Sequence, residues 1–355
     1  MALGYQRALD EWAKSTESLS MEWQESFLSH TDQYDRDCSP VESAEVLRKL
    51  IRSRSLRFTD MQNAPERFFA AHRLLASRIL GGFGVRFTVQ YNLFAGSILG
   101  IGCERQVALL DEFQERGELG CFALTEVGAG VLSGFIVKTV AVWDPKRVGF
   151  IISTPSKEAE KNWISQGLVA DWVVVFANLV IGDTDHGPHP FLLRMRDTAS
   201  GQPVPGITIV DMGRKTVAND LDNARIGFEG VFAPRESLLS RFVDVTPAGE
   251  YVQVGNESMR IEVIGQRLLT GRLAIAEAAL VAVRQLFLKT KMYADSKLVN
   301  VISGTMPLAQ LAHLEKLFGE ADEELTAVET FTATVEARLA GTCEKGRSLT
   351  RTWWR

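Results

Sequence analysis

The chain has 355 residues, 46% hydrophobic and 23% charged, with a formal net charge of −5. That length allows two or three modules around cores of their own, and the composition is that of a soluble globular protein. The acidic balance and the lack of a basic, aromatic-laced patch exclude a general attraction to nucleic acid. No apolar run is long enough to cross a bilayer, so no membrane span is expected. The four cysteines (Cys38, Cys103, Cys121, Cys343) show no paired spacing and read as free thiols in a reducing compartment. Asp10, Glu11 and Glu17 are unlike a secretory signal, and the closing Thr-Trp-Trp-Arg is unlike a peroxisomal Ser-Lys-Leu address.

Residues 1–120 read as helical. Ala44, Val46, Leu47, Leu50 and Ile51 make a short apolar stripe beside Arg48, Lys49 and Arg52. Pro65 opens a helix carrying Phe68, Phe69, His72, Leu75 and Ile79, which stops at Gly81-Gly82. His72 has no second ligand at metal spacing and reads as a packed or solvated side chain. Phe87 to Gly102 is apolar, with small residues at Ala95, Gly96, Ser97 and Gly100, and predicts a closely packed buried helix.

From residue 121 to about 240 the pattern turns to β. Phe122 to Gly130 reads Phe-Ala-Leu-Thr-Glu-Val-Gly-Ala-Gly, a strand ending in a turn. Gly128 and Gly130 would let backbone amides approach an anionic or carbonyl-rich ligand. Residues 135–143 alternate, Asp144-Pro145-Lys146-Arg147 is a turn, and Phe150 to Ser153 returns, which predicts a hairpin. Lys161 to Gly167 reads Lys-Asn-Trp-Ile-Ser-Gln-Gly. On a strand Trp163 and Ser165 would share a face, joining an indole to a hydroxyl donor, a combination suited to a planar heteroaromatic cofactor. Trp172 to Ile181, Pro190 to Met195, Ile207 to Met212 and Ala224 to Phe228 are further strands. His186 and His189 have the spacing of a metal pair, but Gly187 and Pro188 between them favour a surface turn.

From Leu268 the helical period returns through Leu269, Leu273, Ala276, Leu280, Val283 and Phe287. A second stripe runs Leu311, Leu314, Phe318, Ala321, Leu325, Val328, Val335 and Leu339, with Pro307 placed for its first turn. Residues 341–355 carry no stripe.

Taken singly, the two glycine- and tryptophan-bearing stretches are an ordinary strand pair. Taken together and in order, they resemble the acyl-CoA oxidase and acyl-CoA dehydrogenase flavoprotein superfamily, whose segments read Thr-Glu-x-Gly-Ala/His-Gly and Lys-x-Trp-Ile-Thr/Ser. Val89 to Phe94 (Val-Gln-Tyr-Asn-Leu-Phe), His189 to Asp197, Leu221 to Ile226 and Ala233 to Leu239 are similar to the oxidase branch. The resemblance covers roughly residues 80 to 340. It implies an α+β fold with an N-terminal helical domain (1–120), a middle antiparallel β-barrel-like domain (121–240), the start of a C-terminal helical bundle (260–340) and an atypical tail (341–355), as in a shortened form of the family.

The same resemblance implies FAD. Phe122, Leu124, Thr125, Gly128, Gly130, Trp163, Ile164 and Ser165 would line the flavin, with Thr125 at the pyrimidine end, Trp163 over the ring and Ser165 toward N5. Lys297 stands where the family has an arginine that helps hold flavin across a homodimer, and Asn300 where it has phenylalanine. The lysine keeps the charge and loses the planar fork. Val131, with Ser133 two residues on, replaces the serine near the acyl-CoA thioester, and Arg272 aligns with an arginine of the first C-terminal helix. The implied reaction is removal of the α-proton and β-hydride of an acyl-CoA to give the trans-2-enoyl-CoA, in peroxisomal fatty acid β-oxidation. Electrons would pass to oxygen in an oxidase or to an electron-transfer flavoprotein in a dehydrogenase. No catalytic residue is assigned. The usual base is a glutamate later than Arg355, and in a minority it precedes the arginine, where this chain has Gly271. Glu262 and Glu277 read as solvated helix carboxylates. A non-catalytic flavin- or acyl-CoA-binding relative is the remaining alternative.

Overall fold

The computed structural model describes residues 19–34, 37–78, 81–132, 136–254, 258–302 and 304–344. Ile79, Ser133, Phe135, the first 18 residues and the tail from 345 lie outside the described residues, as do the side chains of Val131, Glu262 and Cys343.

The N-terminal part is helical: α1 (Met21–Ser29), α2 (Pro40–Ser53), α3 (Asp60–Asn63), α4 (Pro65–Arg78), α5 (Gly82–Thr88), α6 (Gly96–Ile101) and α7 (Glu104–Arg116). Ser39 starts α2 with a capping box, its hydroxyl accepting from the Glu42 amide while the Glu42 carboxylate accepts from its own. The expected stripe of α2 faces inward, and Leu47, Leu50 and Ile51 join Phe68, Phe87, Tyr91, Phe94 and Phe113 in one core. The single buried helix expected over 87–102 is instead interrupted by a π-helical segment, Val89–Ala95.

The middle strands are β1 (Gly120–Ala123), β2 (Val140–Asp144), β3 (Gly149–Ser153), β4 (Lys161–Ser165), β5 (Trp172–Ile181), β6 (Thr184–Arg194), β7 (Ile207–Asp211), β8 (Asn223–Phe228), β9 (Val231–Pro234), β10 (Val243–Val245) and β11 (Tyr251–Gln253). The β2–β3 hairpin forms as read, with Val140 opposite Ser153. The sheet is mixed rather than purely antiparallel. β5 takes β1 along its first half and β2 along its second, both parallel, and β6 antiparallel on its other side. Being bonded on both edges and covered on both faces, β5 is apolar almost throughout. A second sheet has the order β4-β8-β7.

Two long helices follow, α8 (Ser258–Ser296) and α9 (Ala312–Glu344), packed on each other and on α4. Between them lies a hairpin that the sequence reading missed, β12 (Leu298–Val301) and β13 (Gly304–Pro307). Pro307 closes this hairpin rather than opening a helix, and a 3-10 turn at Leu308–Gln310 precedes α9. Residues 341–344 of the expected tail belong to α9.

Candidate flavin site

Strand β4 is not regular. Lys161 faces Ile226 and Ile164 faces Ala224, so Asn162 and Trp163 together oppose a single residue. Trp163 has φ 57°, a left-handed conformation unusual for a residue with a side chain. Alternation therefore does not fix the directions of Trp163 and Ser165, as the simple strand reading assumed. The bulge leaves the Trp163 indole 54% exposed while its neighbour Ile164 is buried in the second core. Ser165 Oγ accepts from Asn223 Nδ2 at 3.1 Å, which leaves its own proton to donate outward.

Beside the bulge lies a buried ion pair. Lys161 Nζ lies 2.8 Å from Glu126 Oε1, and both side chains are fully buried. Glu126 also accepts from the amides of Lys138 and Thr139 and from the Thr139 hydroxyl. Lys161 donates in addition to the Phe176 carbonyl at 2.7 Å. Each charge is thus fully partnered, the condition under which a buried pair is tolerated. Burial holds the lysine below its ordinary range, and Glu126 opposes that shift. The same junction ties the backbones, with the Asn162 amide donating to the Thr125 carbonyl at 2.9 Å. Thr125 and Trp163, far apart in sequence, therefore sit on adjoining segments.

Of the two turn glycines, Gly128 is occupied by the chain itself and Gly130 is open. The Gly128 amide donates to the Glu158 carbonyl at 2.8 Å, so it is engaged within the chain, and a Cβ there would press on Glu158. Gly130 has φ 52° and open space where a Cβ would stand. Phe122 is half-buried against Phe176, and Leu124 is turned into the helical core, so Leu124 and Ile164 can offer a ligand backbone rather than side chain.

The end of β4 is held by a polar network from the N-terminal helices. Gln166 donates to Gln90 Oε1 and to the Gly120 carbonyl, both at 2.8 Å. Arg86, fully buried, binds Asp222 Oδ1 at 2.9 Å and also reaches Gln166. Sequence reasoning marked Gln90 and Gln166 only as parts of motifs. Buried glutamines with backbone carbonyls to satisfy were the missed signal.

No family model matches the chain. It is 37% identical over 201 residues to human peroxisomal acyl-coenzyme A oxidase 3, covering 52% of this chain and 29% of that protein. It is 32% identical over 241 residues to peroxisomal acyl-coenzyme A oxidase 2 of Arabidopsis thaliana, covering 65% and 34%. Over these stretches the chain is similar to acyl-CoA oxidases. It spans about a third of the length of these curated relatives. The fold agrees. The structure of Caenorhabditis elegans acyl-CoA oxidase-2, bound with FAD, ascaroside-CoA and ATP, superposes with a TM-score of 0.71 at 20% identity, over 98% of this chain and 55% of that one.

The other residues that the superfamily resemblance singled out are less gathered. The Val131 backbone lies in the 3-10 turn Gly130–Leu132. Arg272 and Lys297 are exposed, and among the described residues their side chains make no hydrogen bond to the Thr125 or Trp163 segments. Gly271 is filled from across the helix interface, where Asn92 Nδ2 lies 2.8 Å from the position of a Cβ. Asn92 is itself held by donating to the Arg267 carbonyl. Glu277 is not the solvated carboxylate expected. It is buried beside Glu336, and both bind Arg73. Burial, then the adjacent Glu336, push the Glu277 carboxyl well above the usual range. A cavity of about 360 Å³ opens beside it, between α4, α8 and α9.

The two histidines of the possible metal pair lie in β6, not in a surface loop. His186 stacks on Tyr251 at 4.1 Å, and buried His189 faces the Tyr251 hydroxyl at 3.3 Å. Among the described residues no group of three metal-ligating side chains forms. His72 is packed, its Nδ1 on the Phe68 carbonyl and its Nε2 on Thr88.

Proposed function

We propose that this chain builds the flavin-holding part of an acyl-CoA oxidase-type enzyme, with FAD as cofactor, an acyl-CoA as substrate and oxygen as electron acceptor. The observation that carries this reading is the exposed Trp163 indole, fixed on a bulge beside the Ser165 hydroxyl and the Thr125 segment. A flat ring with a hydrogen-bond donor at its edge fits a planar heteroaromatic group. Flavin, when bound, supplies the acceptor for the substrate's β-hydride. The protein's part is to orient it. Trp163 would cover a ring face, Ser165 would donate at an edge and Thr125 would bind toward the pyrimidine end. Lys297, exposed at the end of α8, offers its charge to the cofactor across a homodimer. The Val131 position and Arg272 would serve the acyl-CoA end, as the resemblance implies. The compartment proposed is the peroxisome, in line with the names of the relatives.

Removal of the α-proton is not assigned to any of these side chains. Gly271 has no acid-base group, and Glu277 is committed to Arg73 and Glu336. A second reading follows from that observation: a relative that binds flavin and acyl-CoA without turnover. The test is the visible spectrum of the purified chain with FAD, before and after an acyl-CoA is added without oxygen. The enzyme reading expects a bound-flavin spectrum that bleaches, then peroxide on admitting air. Turnover only with an artificial acceptor would instead indicate a dehydrogenase serving an electron-transfer flavoprotein. A flavin spectrum that never bleaches would establish the non-catalytic reading, and no flavin binding would overturn both.

A further inference from the structure

We propose that the buried Glu126–Lys161 pair is the positioning device of the cofactor site, joining the Thr125 turn to the Trp163 bulge so that both halves are set by one contact. The inference rests on the flavin reading above for its ligand, but not for its geometry. Three observations carry it. First, Glu126 and Lys161 flank the two site residues, Glu126 directly after Thr125 and Lys161 two residues before Trp163, and the two residues form an isolated antiparallel bridge. Second, Lys161 is the last regular position before the bulge. Its side chain runs inward to Glu126 and to the Leu124 and Phe176 carbonyls, while Trp163 projects outward. Third, Glu126 reaches past Lys161 to the Lys138 and Thr139 amides, so the chain that returns after the glycine turn is tied at the same point.

A pair buried on this scale adds little net stability over an apolar replacement of similar volume. A close hydrophobic match would fill the same space. What the apolar replacement cannot supply is direction: a carboxylate with four donors fixes where two loops stand relative to each other. Lys161 and Glu126 touch neither ring nor substrate in this scheme. They act through Trp163 and Thr125.

The experiment uses the whole chain with Glu126→Gln and Lys161→Met combined, so that no lone charge is left buried, alongside Lys161→Met alone. Three quantities are read: the thermal midpoint, the FAD dissociation constant by quenching of flavin fluorescence, and the ¹⁹F resonance of Trp163 in fluorotryptophan-labelled protein, assigned through Trp163→Phe. For the double variant the expected result is a midpoint close to the parent. FAD binding should weaken roughly tenfold or more, the scale seen when outer partners that orient a binding group are removed. The Trp163 resonance should shift or broaden while the other tryptophan resonances stay in place. A folded double variant with parental FAD affinity and an unmoved Trp163 resonance would overturn the proposal and leave the pair a stability element only. If the parent binds no FAD, the flavin reading fails, and the Trp163 resonance still decides whether the pair positions the indole. If the double variant does not fold, the pair is needed for the fold itself and the positioning role is rejected.

Discussion

The middle β region and the C-terminal helix pair handle buried charge and apolar surface in opposite ways. Around β4, Arg86–Asp222 and Glu126–Lys161 are each fully buried, and their remaining polar atoms find backbone or side-chain partners. In α8 and α9 two carboxyl groups crowd one arginine, and Leu286, Met292 and Phe331 stand exposed. Geometry around Trp163 is therefore defined by contacts inside this chain, whereas the helix pair leaves much of its apolar surface uncovered by the described residues. Specific directions come from satisfied polar networks and bulk stabilisation from apolar burial, and here the two are found in different places.

The sharpest way to break the comparison is to remove a cation from the β-side network. Arg86→Met should destabilise the chain by about 3–5 kcal/mol, because Asp222 would be left charged and buried. Calorimetry should show most of that loss recovered in Arg86→Met with Asp222→Asn, and a single variant melting with the parent would refute the account. A somewhat smaller effect is expected from acid at His72. Burial lowers this imidazole to about 4 from 6.5, with the Phe68 carbonyl opposing and Arg73 adding to the shift. The unfolded chain then takes up the proton first, so the contribution is complete above about pH 6.5 and disappears as pH falls toward 4. The difference corresponds to about 3 kcal/mol. His72→Gln should flatten the midpoint between those pH values, and an unchanged acid slope would assign the titration elsewhere. The smallest effect belongs to the surface of the helix pair. Arg284 joins α8 to Asp322 and Glu329 of α9, with much of the cluster in solvent. Arg284→Ala should change stability by less than about 1 kcal/mol and less still in high salt. A larger loss in a denaturant titration would mean that this cluster behaves like the buried ones.

Much of the fold was legible because it rests on local period and punctuation. The Asp144-Pro145 turn, the continuous apolar run of β5 and the inward stripe of α2 all follow from nearest neighbours in sequence. The Thr125 and Trp163 stretches stood out as a pair. The geometry that joins them did not, since it depends on an extra residue in β4 and on Lys161 meeting Glu126 from 35 positions away. The same limit hid the role of Glu277, which looks solvated until Arg73 and Glu336 arrive from other helices. Gly128 was misread for a related reason. A glycine permits close approach, but the sequence does not say whether the approaching group is a ligand or, as here, Glu158.

The contact between Gly271 and Asn92 constrains how this site could change over generations. The first side-chain carbon of a glutamate at 271 would already stand 2.8 Å from an amide that is tied to the Arg267 carbonyl. Placing an acid at 271 alone would press on Asn92 and strain a packed interface before any chemistry was gained. The tolerable route passes through position 92 first, toward a smaller residue, and only then through 271. The two positions are a single unit of mutation, and a library that varies them separately would miss the combination.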